Sequence, residues 1–148
     1  MKANYRRLVR AIERGWFVSV GPGTNRRTLI YEADVARAAV LAASKAPEGS
    51  TYNVTDGKVH TLGEILDAIA AAVDKKLLPV HLPTAPTRLL AGLVEDSVSL
   101  IGRRSPVGRA TIDKLVEDVA VSGQRFHDDF GFRPSMDLIA GWRQAVAS

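Results

Sequence analysis

Residues 25–36 run Asn25-Arg26-Arg27-Thr28-Leu29-Ile30-Tyr31-Glu32-Ala33-Asp34-Val35-Ala36 and join two arginines to a β-branched and aromatic run, then to an aspartate placed to cap a helix. The stretch predicts a short strand over Thr28–Tyr31 and a helix of mostly alanine and valine from about Val35 to Ser44. A guanidinium at the mouth of a strand that feeds a capped helix suits an anion clamp, because it holds phosphate bidentately and keeps its charge at physiological pH. A solvated arginine pair beside a turn is the alternative, and spacing alone does not separate the two.

Upstream, Tyr5, Leu8, Val9 and Ile12 recur at helical spacing between Lys2 and Arg14, while Arg6, Arg10 and Arg14 repeat on another face. That arginine face is either a solvated outer face or a surface for an anionic partner. Gly15 is placed to end the helix in the left-handed cap position. Residues 16–20, W-F-V-S-V, predict a strand, and G-P-G-T-N at 21–25 a turn.

Downstream, P-E-G-S at 47–50 breaks the second helix, T-Y-N-V-T at 51–55 predicts a strand and D-G-K at 56–58 a turn. Thr61 and Glu64 form an S/T-x-x-E capping box, and Leu62, Ile65, Leu66, Ile69, Ala70 and Val73 give the buried stripe of the helix it opens. L-L-P-V-H-L-P at 77–83 predicts an extended edge segment because of its prolines. Thr84 and Pro86 start a helix through Leu89, Leu90 and Leu93. From Glu95 to Gly108 the pattern weakens, and R-R-S-P-V-G-R at 103–109 predicts a loop. Ala110–Glu117 is expected to be helical and Val119–Val121 a short strand. Ser122 should cap a helix to Phe130, closed by Gly131 and Pro134, before a last helix from Met136 to Ala147. Strands alternating with helices define an α/β class. No repeat or linker divides the chain, so residues 1–148 are expected to form a single domain.

The chain has 148 residues, 46% of them hydrophobic, enough for a core that buries roughly 68–70% of the unfolded surface. It has no cysteine, which excludes disulfides and thiolate chemistry and fits a cytoplasmic setting. The N-terminal residues lack the apolar core of a signal peptide, and the most apolar window, Ile65–Val73, is short and interrupted by Asp67, so a soluble protein is expected. The net charge of +4 is compatible with nucleic acid or a phosphorylated small molecule as partner.

Catalytic constellations are sparse. His60, His81 and His127 lack ligand-type partners at i,i+4, so no metal is expected, and His127-Asp128-Asp129 is expected to face solvent. G-P-G-T-N-R is a turn and not a dinucleotide fingerprint, and no serine lies in a G-x-S-x-G context.

Taken together, residues 4–15 (N-Y-R-R-L-V-R-A-I-E-R-G), 17–38 (F-V-S-V-G-P-G-T-N-R-R-T-L-I-Y-E-A-D-V-A-R-A), 49–57 (G-S-T-Y-N-V-T-D-G), 61–70 (T-L-G-E-I-L-D-A-I-A) and 128–134 (D-D-F-G-F-R-P) resemble, in order and spacing, the C-terminal half of the extended short-chain dehydrogenase/reductases. More narrowly, the chain is similar to the NAD-dependent nucleotide-sugar epimerase/dehydratase group, UDP-galactose 4-epimerase-like and of isomerase type. The resemblance implies a substrate-binding portion of mixed short strands and helices, without the Rossmann N-terminal half. By the same resemblance Asn4 would touch the nucleotide diphosphate, Val18 and Val20 would cradle the uracil, and Arg27 would grip the diphosphate. Arg109, or in its place Arg104, would supply the second phosphate arginine. Glu32 replaces the usual valine of the family's V-x-D-x-A motif, and Thr28 a common acidic residue or serine.

NAD is the cofactor expected for the full-length family, but the G-x-x-G-x-x-G motif that holds it is missing from these residues, so no cofactor is expected in this chain. The Y-x-x-x-K pair is missing too: four residues after Tyr5, Tyr31 and Tyr52 stand Val9, Val35 and Asp56. Without that proton shuttle the chain alone is expected to be catalytically inert. The expected partner is a UDP-sugar or related nucleotide-sugar. A homo-oligomer, or the absent Rossmann half, is expected to cover the apolar surface a lone substrate-binding domain would expose. The alternative is a basic module that binds nucleic acid or protein through the first helix, although no nucleic-acid motif accompanies its arginines.

Overall fold

The computed structural model describes residues 3–15, 17–78, 81–100, 113 and 116–147. Helix α1 (Ala3–Glu13) is followed by strands β1 (Ser19–Val20) and β2 (Arg26–Arg27), helix α2 (Glu32–Lys45), strand β3 (His60–Thr61) and helix α3 (Leu62–Ala72). Strand β4 (His81–Leu82) then leads to helices α4 (Thr84–Leu100), α5 (Gln124–Phe130) and α6 (Leu138–Ala147).

Helix α3 forms because its start is capped from both sides. The Glu64 N–H donates to Thr61 Oγ1 at 3.1 Å, and the Thr61 N–H donates to Glu64 Oε2 at 2.8 Å. The Thr61 N–H, and after it the Thr61 side chain, hold the Glu64 carboxyl below its ordinary value. The helix then buries Leu62, Ile65, Leu66 and Ile69, with both isoleucines fully enclosed. Each such aliphatic side chain contributes about 1.5–3 kcal/mol when removed from water. Helix α1 packs against α3 through Val9 and Ile12, and α6 through Trp142. Arg6, Arg7 and Arg10 stay exposed on the outer face of α1.

A second cluster joins Ala38 of α2 to Phe126 and Phe132, with Tyr52, Val54 and Phe130 packed against it. The Tyr52 ring meets Phe126 and Phe130 edge-on at 5.6 and 5.2 Å. Gly15 and Gly131 end their helices in left-handed conformation, as their sequence positions predict.

The strands are shorter than the sequence predicts. β1 pairs in parallel with β4, Ser19 opposite His81, while β2 pairs antiparallel with β3, Arg26 opposite Thr61 and Arg27 opposite His60. The ladder therefore forms on the two arginines, whereas Thr28–Tyr31 and Thr51–Thr55 are extended without a ladder. Strand type is decided by which backbone finds a partner, and composition does not reveal that. Helix α2 begins at Glu32 with Tyr31 at its N-cap, so Asp34 lies inside the first turn and does not cap it. Helix α4 continues past Glu95 to Leu100, through the residues where the sequence pattern weakens. Ser97 and Ser99 donate their hydroxyls to the carbonyls of Leu93 and Asp96, which lets serine-rich sequence stay helical while blurring its pattern. Val119 makes only an isolated bridge to Arg27. The predicted loop residues 103–109 and most of Ala110–Glu117 lie outside the described residues.

Thr61→Ala removes one side of the α3 cap and is expected to cost about 1 kcal/mol in urea unfolding. Ile65→Ala, which empties an enclosed site, is expected to cost about 2–5 kcal/mol. A smaller loss for Ile65→Ala than for Thr61→Ala would contradict this account of the core.

Candidate functional site

An open cleft of about 830 Å³ lies where Thr28–Glu32, residues 54–56, Val119, Val121 and the start of α6 meet, with Tyr5 and Trp142 on one side and Arg27 on its wall. Arg27 is held by backbone on both sides. It pairs with His60 in β3 and bridges in parallel to Val119, while the Thr28 N–H donates to Val119 O at 3.3 Å. The neighbouring Arg26 is fixed by its N–H on Asp118 Oδ1 at 2.5 Å, and the Val119 N–H donates to Arg26 O at 2.8 Å. Of the two arginines, Arg26 is exposed and Arg27 is half-buried beside the cleft.

The glycine turn before β2 is docked rather than free. The Gly63 N–H donates to Gly23 O and the Leu62 N–H to Asn25 O, both at 2.9 Å. Gly23 has φ +69°, and a Cβ there would stand 3.3 Å from Gly63 N. Thus the start of α3 sets the approach of β2, and through it the position of Arg27.

A second support is the Asp34 carboxylate, which is fully buried. It accepts from Arg37 Nη1 at 2.6 Å, from the Ser135 N–H at 2.9 Å and from the Ser135 hydroxyl at 2.8 Å. This ties the first turn of α2 to the segment that carries Met136, Asp137 and Leu138 into the cleft. Burial raises the carboxyl's pKa, but the two Ser135 bonds and Arg37 outweigh it and hold the group below its ordinary value of 3.8.

Three residues gain a place that their sequence context did not reveal. Asp56 lines the cleft, donates its N–H to Leu29 O at 2.8 Å and meets His60 Nε2 at 2.5 Å through its carboxylate. The D-G-K turn had marked Asp56 only as a turn residue, and His60 only as a lone histidine. His127, expected in solvent, is buried, with Nε2 at 3.1 Å from Thr55 O and its ring 5.7 Å from Phe132. The reason is the split of helix α5: Phe126 and His127 turn inward while Asp128 and Asp129 remain exposed.

Of the other residues singled out by resemblance, Asn4 lies in α1 with its side chain outside the described set. Val18 and Val20 are half-buried around β1 and do not line the cleft. Arg104 and Arg109 lie outside the described residues. Among the described residues no cluster of three or more His, Cys, Asp or Glu could hold a metal, and no helix is long and apolar enough to cross a membrane.

The glycine turn at 21–23 feeds strand β2, so it lacks the helix-start amides that hold a pyrophosphate.

No family model matches the chain. It is 24% identical over 142 residues to an N-acetyl-alpha-D-glucosaminyl-diphospho-ditrans,octacis-undecaprenol 4-epimerase of Escherichia coli O157:H7, a match covering 95% of this chain and 42% of that protein. Among solved structures, human epimerase family protein SDR39U1 with NADPH superposes with a TM-score of 0.73 at 17% identity, covering all of this chain and 44% of the other. UDP-glucose 4-epimerase of Thermotoga maritima with UDP-glucose gives 0.62 at 19% identity, over 95% of this chain and 37% of that one. The chain thus spans about two fifths of the length of these proteins and has the α/β fold of the C-terminal part of extended short-chain dehydrogenase/reductases of the epimerase/dehydratase type.

The folded carboxyl of Asp34 has the lower pKa, so its stabilisation is present above the ordinary carboxylate value and is lost as pH falls through the folded one. Asp34→Ala is expected to cost about 2–3 kcal/mol at neutral pH, with the gap to the parent protein narrowing below about pH 4. Urea unfolding at stepped pH checks this, and a gap that widens on acidification would contradict it.

Proposed function

We propose that the chain is a single substrate-binding unit of an NAD-dependent nucleotide-sugar epimerase or dehydratase and that it binds a UDP-sugar through the diphosphate. The observation that carries this reading is the position of Arg27, anchored by backbone on two sides and facing a cleft large enough for a small ligand. An arginine held this way loses little freedom when an anion arrives, which is where preorganised sites gain affinity. Arg109 is the second phosphate arginine in this reading and Asn4 a further diphosphate contact, whereas Val18 and Val20 stand off the cleft and take no part in it. Each charge-assisted contact contributes on the order of 1.5–3 kcal/mol. Millimolar binding requires about 4 kcal/mol and micromolar about 8, so two such contacts, about 3–6 kcal/mol together, reach the millimolar end of that range.

The chain binds without transforming. These residues hold no tyrosine–lysine pair in Y-x-x-x-K spacing to move a proton, so in this reading they position the substrate and do not themselves carry the acid/base step. The absence of cysteine supports a cytoplasmic setting.

A second reading is favoured by the cleft's apolar wall, formed by residues such as Leu29, Ile30, Val54, Val121 and Trp142. Those side chains suit a prenyl chain attached to a sugar diphosphate, the kind of molecule named for the Escherichia coli relative. Arg27 would serve the diphosphate in the same way. The exposed arginines of α1 leave nucleic acid as the competing partner class, recognisable by steep salt dependence.

Thermal-shift titration with UDP, a UDP-sugar, a prenyl diphosphate and duplex DNA separates these readings, because only ligands of the folded state raise the transition temperature. Arg27→Ala is expected to weaken UDP binding at least about tenfold in calorimetry, with the melting temperature of the unliganded protein unchanged. Equal UDP binding by the variant would overturn the assignment.

A further inference from the structure

Asp56 lines the same cleft as Arg27, and it differs from the cleft's other two acids. Glu32 and Asp137 are exposed, whereas the Asp56 side chain is only 11% exposed. Its Oδ2 meets His60 Nε2 at 2.5 Å, and Oδ1 accepts from the Lys58 N–H at 3.1 Å. These bonds fix the carboxylate without saturating it, because its two oxygens offer about four acceptor positions. Two further contacts tie Asp56 to the arginine. The Asp56 N–H donates to Leu29 O at 2.8 Å, and His60 is the ladder partner of Arg27. Leu29 stands two residues beyond Arg27 on extended chain, a backbone distance of about 7 Å. One wall of the cleft therefore carries an anchored cation and a fixed acceptor separated by roughly the breadth of a sugar ring.

We propose that Asp56 selects the glycosyl group: with Arg27 on the diphosphate, the Asp56 carboxylate accepts hydrogen bonds from hydroxyls of the sugar that the diphosphate carries. The inference rests on the diphosphate reading above and adds the residue that separates a sugar diphosphate from a diphosphate without the sugar. Hydroxyls donate to a carboxylate in charge-assisted bonds, about twice as strong as neutral ones. A carboxylate already held by His60 and Lys58 loses little freedom when they arrive. For a phosphate that brings no sugar, the same group works the other way, because its negative charge repels the ligand that Arg27 attracts. Asp56 thus combines an attraction for the right ligand with a penalty for the wrong one, the two components from which specificity is built.

Calorimetry with UDP and UDP-glucose on the parent protein and on Asp56→Asn tests this. The amide keeps the shape of the side chain and removes its charge. The parent is expected to bind UDP-glucose more tightly than UDP. Asp56→Asn is expected to weaken UDP-glucose binding about tenfold while UDP binding stays unchanged or strengthens. A purely structural role for Asp56 would move both ligands alike, and retained UDP binding shows that the variant is folded. Equal weakening of the two ligands, loss of both from the variant, or a parent protein that prefers UDP would each overturn the proposal while leaving the diphosphate reading intact. A parent protein that binds neither ligand, or an Arg27→Ala variant that binds UDP as well as the parent, would overturn that reading and this inference with it.

Discussion

The rest of the molecule is arranged around one constraint, the burial of α3 against two helices at once. Ile65 and Ile69 are fully enclosed in the core that α3 shares with α1 and α6, and the two outer helices meet where the Tyr5 and Trp142 rings stand 5.3 Å apart. The start of α3 is equally committed, because Gly63 and Leu62 hold the glycine turn that aims β2. A local helix signal therefore ends up fixing an arginine far from its own sequence position. The aliphatic burial supplies the larger energy and the cap the smaller one, so the cap's contribution is chiefly one of position: it decides where the helix begins.

What could be read from residues alone divides along the range of the interactions. The Thr61/Glu64 box, the α3 stripe and the glycine helix ends depend on neighbours a few positions away, and they stand as their spacing predicts. Strand identity does not work that way. Arg26 and Arg27 lack strand composition but find His60, Thr61 and Val119, whereas Thr28–Tyr31 has the composition and forms no ladder. Asp34 presented the features of a helix cap, yet its partner is Ser135, 101 residues on. His127 sat in a polar triplet and is buried because Thr55 and Phe132 receive it. For the cleft, Arg27 was legible from its charge and context. Asp56 and Trp142 were not, since they reach the cleft through contacts with Leu29 and Tyr5, distant in sequence.

Nor does the cleft resemble a catalytic centre assembled from its own walls. Its acidic side chains already have tasks: Asp56 meets His60 and supports the turn through the Lys58 N–H, and Asp137 accepts from the Ala140 N–H at the start of α6. Its walls are otherwise largely apolar, with Arg27 on one of them. The chain matches about two fifths of the larger proteins that share its fold.

The bonds between Asp34 and Ser135, Arg26 and Asp118, and Arg27 and Val119 all join the first quarter of the chain to its last third. On a ribosome, the residues that frame the cleft would leave the exit tunnel long before those that complete it. Until Ser135 is available, the Asp34 carboxylate has only Arg37 beside it, and the apolar Leu29–Tyr31 segment is uncovered. Closing such distant contacts is slow because a long loop must be ordered first. The cleft is thus framed early in the sequence but closed only by Asp118, Val119 and Ser135, so its shape reports on whether those distant contacts are in place.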